Sequence, residues 1–243
     1  LGLPVSASHP LHGGYAGAAI SRTASFLGPE NMFDAVVWTG WIGPIIFIVL
    51  SPLLGMFLGM GLMAVIYWTF RSATPRKVDT LFRRLQLVSA AVFSYSHGSN
   101  DAQKTMGIIT SALVTAGFLE TFEVPLWVMF GAYAMISLGT LMGGWKVVRT
   151  MGSRITRLKP REGFAAETGG AISVLFATFL GQPVSTTHTI AGSIAGVGLV
   201  KRVRAVRWQI FRKIFWAWVL TIPISALVGA LSFQLVRLMT GVQ

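Results

Sequence analysis

The residues of this 243-residue chain that can do chemistry gather in three places. The first is Pro183-Val184-Ser185-Thr186-Thr187-His188. A proline breaks a preceding helix and suits the first turn of the next. The hydroxyls then fall where that new helix has unpaired N–H groups. Free N–H groups, hydroxyl donors and the positive end of a helix dipole make an anion site without a fixed cation. Ordinary capping and back-bonding would explain one such run equally well.

The second place is Ser94 to Thr105, which holds His97-Gly98-Ser99-Asn100-Asp101-Ala102-Gln103-Lys104 in the middle of an apolar stretch. An ionisable residue at membrane depth is costly and marks function by default. Gly98 beside Ser99, Asn100 and Asp101 is expected to unwind a helix there and bare carbonyls, as in transporters that bind Na+ or H+. Asp101 supplies charge, and Asn100 and Ser99 supply hard oxygen ligands. The competing reading is an Asp101–Lys104 pair three residues apart. A phosphate loop is excluded, because no Gly directly precedes Lys104. The third place is Glu167, sixteen residues before Pro183. It reads either as an interfacial acid paired with Arg161 or as a coupling carboxylate.

The elements that must position these groups follow from composition. Only 12% of residues are charged, 53% are hydrophobic, and the mean hydropathy is +0.65, whereas a soluble domain carries about 25% charge. An ordinary soluble enzyme is excluded, as are a disulfide scaffold and a thiol nucleophile in a chain without Cys. A Ser185/His188 nucleophile–base pair lacks an independent orienting group. The net charge of +12 lies in three clusters, near Arg71 to Arg84, Lys146 to Arg161 and Lys201 to Lys213. Such clusters between apolar stretches are cytoplasmic loops rather than a nucleic-acid surface.

Apolar segments fall at 11–26, 36–70, 85–119, 126–148, 164–180, 184–200 and 208–236. About 20 residues span a bilayer. Segment 36–70, which holds Pro44 and Pro52, and segment 85–119 exceed 30 residues and so are tilted, broken or extend past the membrane. Loops with Glu30/Asp34 and Glu120/Glu123 alternate with the basic clusters and belong outside. Segments 164–180 and 184–200 lie between two basic clusters, so both ends of that pair are cytoplasmic. They are expected to form a re-entrant hairpin turning at Gly181-Gln182-Pro183, an element tolerated only when buried or lining a cavity; two short full spans fit the same charges with less economical packing.

Residues 2–9 recur at 181–188. Over residues 2–20, eight of nineteen positions are identical at an offset of 179, where chance gives about one. Each copy carries a small-xxx-small pair, Gly13/Gly17 and Gly192/Gly196, suited to close helix contact. One copy exits into an acidic loop and the other into a basic one. An inverted-topology repeat with discontinuous helices and a midplane site is therefore expected. The fold class is all-α: a polytopic membrane protein with inverted repeats, broken helices and a re-entrant hairpin. The first copy contributes Ser6 and Ser8, with Ala7 between them. An anion site and a cation site together suggest symport, since each negative charge moved inward costs about 2.3 kcal/mol per 100 mV. A passive channel would need no matched cation ligands.

These motifs resemble those of the inorganic phosphate transporter (PiT) family, and most closely its bacterial low-affinity branch. The segment from His97 to Lys104 resembles the second-repeat form of its Gly-x-Asn-Asp signature. Residues 181–188 are similar to its second signature, and Gly163-Phe164-x-x-Glu167 resembles the segment before it. The resemblance implies a dimeric inner-membrane protein that moves phosphate with H+ or Na+. It implies that Ser6, Ser8, Asn100, Asp101, Ser185, Thr186 and Thr187 line the phosphate site. It implies that Asn100, Asp101, Glu167 and Ser185 serve the coupling cation. Bacterial members also take phosphate as a divalent metal complex, and related members carry sulfate. No resident cofactor is implied. On this reading residues 1–70 are the end of a first repeat, 71–84 a cytoplasmic basic linker, and 85–243 a second repeat with its hairpin at 164–200. The first repeat's own Asn-Asp signature would fall upstream of Leu1, so the chain reads as a fragment.

Overall fold

The computed structural model describes residues 4–241, so Gly2 and Leu3 of the repeated motif lie outside the described residues. Among the described residues there are eight α-helices and no strand. They are α1 (Ser8–Leu27), α2 (Trp38–Thr69), α3 (Pro75–Thr115), α4 (Leu126–Gly143), α5 (Trp145–Arg149), α6 (Pro160–Phe179), α7 (Thr186–Lys201) and α8 (Trp208–Thr240). A six-residue π-helical turn, Thr150–Ile155, follows α5. Six of the seven apolar segments each form the body of one helix, and segment 126–148 is divided between α4 and α5.

The structure removes one of the options for segment 36–70, a break, and the expected unwinding at Gly98 does not occur. Helix α2 runs unbroken through Pro44 and Pro52, because close packing on α7 keeps it together where two N–H groups are missing. Helix α3 runs unbroken through Gly98. There is open space beside Gly98, so nothing wedges into the backbone ladder. Asn100, Asp101 and Lys104 after it find partners off the helix's own backbone and do not compete with it. Helix α3 also starts within the first basic cluster, so residues 75–84 are its opening turns. Pro75 at the first position and the good helix formers Arg and Lys explain that start.

Small residues set the packing. Gly192 and Gly196 of α7 rest on the α2 backbone at Pro52 and Met56. Gly13 and Gly17 of α1 rest on the α8 backbone at Ile222 and Ala226. Each matched pair advances by four residues on both partners, so α7 runs with α2 and α1 runs with α8. Close approach of this kind is what small-xxx-small spacing permits. Helix α6 runs back along α7, with the Ser193 hydroxyl donating to the Ala166 carbonyl at 2.8 Å. It runs with α3, since Gln86 and Ser89 meet Glu167 while Asn100 meets Thr178. Trp218 of α8 stacks on His188 at a ring separation of 3.7 Å, and Gly198 meets Val206 just before α8. Helix α8 is thus antiparallel to α7, and α1 therefore runs opposite to α7.

The hairpin α6–α7 is the interior of the molecule. Its buried face is built of Gly, Ala and Ser, including Gly169, Gly170, Ala191, Ser193 and Ala195. Its tip is not enclosed: Phe179 is 89% exposed. Helices α2, α4 and α8 are long and apolar enough to cross a membrane. They expose Phe57, Trp68, Phe130, Met142, Leu231 and Leu238, the surface expected against lipid rather than water.

Candidate functional site

The site assembles where α1 and α7 begin. Residues 4–7 and 180–185 are extended or turned backbone, each delivering a helix start to the same spot. Ser185 caps α7, its Oγ accepting from the His188 N–H at 3.2 Å. Ala7 offers no such cap to α1. The two starts exchange hydrogen bonds. The Ser8 hydroxyl donates to the Val184 carbonyl at 3.1 Å, and the Thr187 hydroxyl donates to the Val5 carbonyl at 3.5 Å. Under the offset of 179, Ser8 matches Thr187 and Val5 matches Val184, so the exchange is reciprocal. His9 and His188 are matched too, and their rings meet edge to face at 4.5 Å.

Helix α3 brings the charged groups to this junction. Asp101 Oδ1 accepts from Lys104 Nζ and Oδ2 from His97 Nε2, both at 3.0 Å. The Thr186 hydroxyl reaches Asp101 Oδ2 at 3.4 Å. Lys104 Nζ donates further to Ser8 Oγ and the Val184 carbonyl, both at 2.6 Å. The Asp101 and Lys104 side chains are 11% and 8% exposed. The expected alternatives for Asp101 therefore coexist: it pairs with Lys104 and also faces the hydroxyls.

The structure thus brings Ser8, Asp101, Thr186 and Thr187 together with the Ser185 cap. Ser6 is buried beside them, and its hydroxyl has no partner. Asn100 is buried too, but points its amide to Thr178 on α6 at 2.7 Å, while its carbonyl oxygen is unpartnered. Glu167 lies elsewhere. It accepts from Ser89 at 2.5 Å and Gln86 at 3.4 Å. Ser89 is twelve residues before Asp101, about 18 Å along the helix. The expected contact with Arg161 is absent among the described residues. The basic partners go instead to Glu162, fully buried, which meets Lys201 at 2.5 Å and Arg161 at 3.8 Å.

Sequence reasoning misses Lys104 as the hub, Thr178 and the Ser89–Gln86 cradle. A signal for α3 exists: Ser89 and Ser96 lie seven residues apart, two helical turns, and both are buried. A small polar stripe in a membrane helix marks a face turned to another helix. Nothing local marks Thr178. A cavity of about 470 Å³ leads to Lys104 and Pro183 between Tyr15, Val37 and Trp41. A second, holding about 30 Å³, lies against Ser8, His9 and Ser185, room for about one water.

This arrangement suits an anion met by hydroxyls and helix N-termini, beside a carboxylate–ammonium pair. The phosphate transporter family matches residues 1–229. The chain belongs to that family. It is 50% identical to a probable low-affinity inorganic phosphate transporter of Rhizobium meliloti, over 96% of this chain and 67% of that protein. A protein of the same description from Bacillus subtilis is 40% identical over 98% of this chain and 69% of its own length. Sodium-dependent phosphate transporter 1-A of Danio rerio is 37% identical over 63% of this chain and 24% of its own. A solved structure, the sodium-dependent phosphate transporter, covers 94% of this chain and 81% of its own with a TM-score of 0.77 at 21% identity. The all-helical membrane fold and membership of a transporter rather than an enzyme family are therefore shown.

Proposed function

We propose that this chain belongs to an inner-membrane symporter that moves inorganic phosphate together with a cation, H+ or Na+. The reciprocal exchange between Ser8 and Val184 and between Thr187 and Val5 carries the reading. It joins two sequence-related helix starts, running in opposite directions, at one point. Inverted repeats with the site at their interface are a transporter arrangement. Residues 1–70 belong to the first repeat, 71–84 link the two on the cytoplasmic side, and 85–243 are the second, with its hairpin at 164–200. The whole protein works as a homodimer.

In this proposal Ser6, Ser8, Ser185, Thr186 and Thr187 offer hydroxyls and first-turn N–H groups to phosphate. Asn100 and Asp101 border both the anion and the cation. Glu167, held by Ser89 and Gln86, lies on the cation's cytoplasmic route. Alternating access is a rocking of one repeat against the other around this junction. The cargo is phosphate, alone or as a neutral divalent metal complex. The test is uptake of labelled phosphate by the full-length protein in proteoliposomes. Na+ and pH gradients are varied separately, with and without Mg2+. Uptake driven by one gradient and resistant to a tenfold excess of sulfate is expected. Equal competition by sulfate would overturn the substrate.

A further inference from the structure

The Lys104 ammonium is held by three oxygens of three kinds. They are the Asp101 carboxylate, the Ser8 hydroxyl and the Val184 main-chain carbonyl. An ammonium has three N–H donors and no acceptor. All three are spent on the protein, so in this arrangement Lys104 donates nothing to an anion. Carboxylate, hydroxyl and carbonyl oxygens are, in contrast, the ligands that hold hard metal cations. The three come from α3, from the start of α1 and from the stretch before α7, so the cage straddles the junction of the two copies. Ser8 Oγ turns its own proton to Val184 O, which leaves its lone pairs facing Nζ.

We propose that Lys104 is a built-in cation: its ammonium fills the oxygen cage of Asp101, Ser8 and Val184 and excludes free Na+ from that position. A tethered cation acts at a high effective concentration, of the order of millimolar or more, and a competing ion must displace it into a setting where it is unpaired and buried. Lys104 is thereby a determinant of ion selectivity. This rests on the symport reading. It means that a free coupling cation is not loaded between Asp101 and Ser8.

The test uses Na+ alone as the probe, on purified full-length protein in detergent, with choline holding ionic strength constant. The readout is the shift of the thermal-unfolding midpoint with Na+. Lys104→Ala and Lys104→Ser, which empty the cage of its cation, are expected to gain a Na+ response several degrees larger than the wild type's. Adding Asp101→Asn to either removes that gain. A variant that folds only when Na+ is present supports the proposal in the same way. Responses equal to the wild type's in both variants overturn it. Failure of both to fold with or without Na+ also overturns it, because the lysine is then a structural tie that Na+ does not replace. The readout needs no transport, so a wild-type protein that fails to move phosphate would sink the symport reading and leave this result standing.

Discussion

At the residue scale the site is a set of groups that satisfy one another across chain segments far apart in sequence. Among the described residues Asp101 is the one carboxylate at the junction, and it answers to His97, Lys104 and Thr186 at once. Asp101→Asn removes the charge and leaves the ammonium of Lys104 uncompensated in a nearly buried position. We expect cation-driven phosphate uptake to fall at least tenfold, measured against the amount of protein in the membrane; undiminished coupling would remove Asp101 from the mechanism. Most of these residues are legible in the sequence, because an acid or a hydroxyl run within apolar segments is conspicuous. Their partners are not. Lys104 is legible only as a neighbour of Asp101 three residues on. Its bonds to Ser8 and Val184 span 96 and 80 residues, and no local spacing reports such a meeting. Glu167 is legible as an acid, but Arg161, its sequence-near candidate, belongs to Glu162.

At the element scale, each helix is held by the face its small residues present. Gly196 lies against the Met56 carbonyl with no room for a Cβ, whereas Gly131 on α4 has open space beside it. Gly196→Val should cost about 3 kcal/mol or more, through overpacking against backbone that has no freedom to yield. Gly131→Ala should be neutral or stabilising by up to about 1 kcal/mol. Thermal unfolding in detergent separates them, and equal midpoints would contradict the packing described. The hairpin has its own tie. Glu162, at the start of α6, meets Lys201, at the end of α7, and accepts from the Lys159 N–H. Glu162→Gln should lower stability by about 3 kcal/mol, with faster amide exchange at the α6 start and α7 end than in α4; unchanged exchange there would contradict it. The apolar segments locate these helices because about 20 residues without charge have few other fates. The continuity of α2 and α3 is not legible. Two prolines and a glycine state a local preference; packing against α7 overrides it in α2, and in α3 nothing wedges into the backbone beside Gly98.

At the scale of the molecule, the recurrence of residues 2–9 at 181–188 organises the junction. The repeat is legible in the order of residues alone, from eight identities in nineteen positions. So is the opposed direction of the copies, from the charges of their exit loops. The exchange of partners is not legible, with α1 on α8 and α7 on α2. A small-xxx-small motif marks a face without naming what it will meet. The outcome is a junction where two helix starts and one charged helix face converge, inside a shell of apolar side chains on α2, α4 and α8. Such a junction couples two solutes only if the protein moves phosphate against its gradient at the expense of a cation's. The direct measurement is the level of labelled phosphate inside proteoliposomes carrying the full-length protein, before and after an ionophore collapses the cation gradient. Phosphate is expected to accumulate above the external concentration and to decay to equality when the gradient is lost. Phosphate that only ever equilibrates, gradient or none, would mean a passive pore and contradict symport.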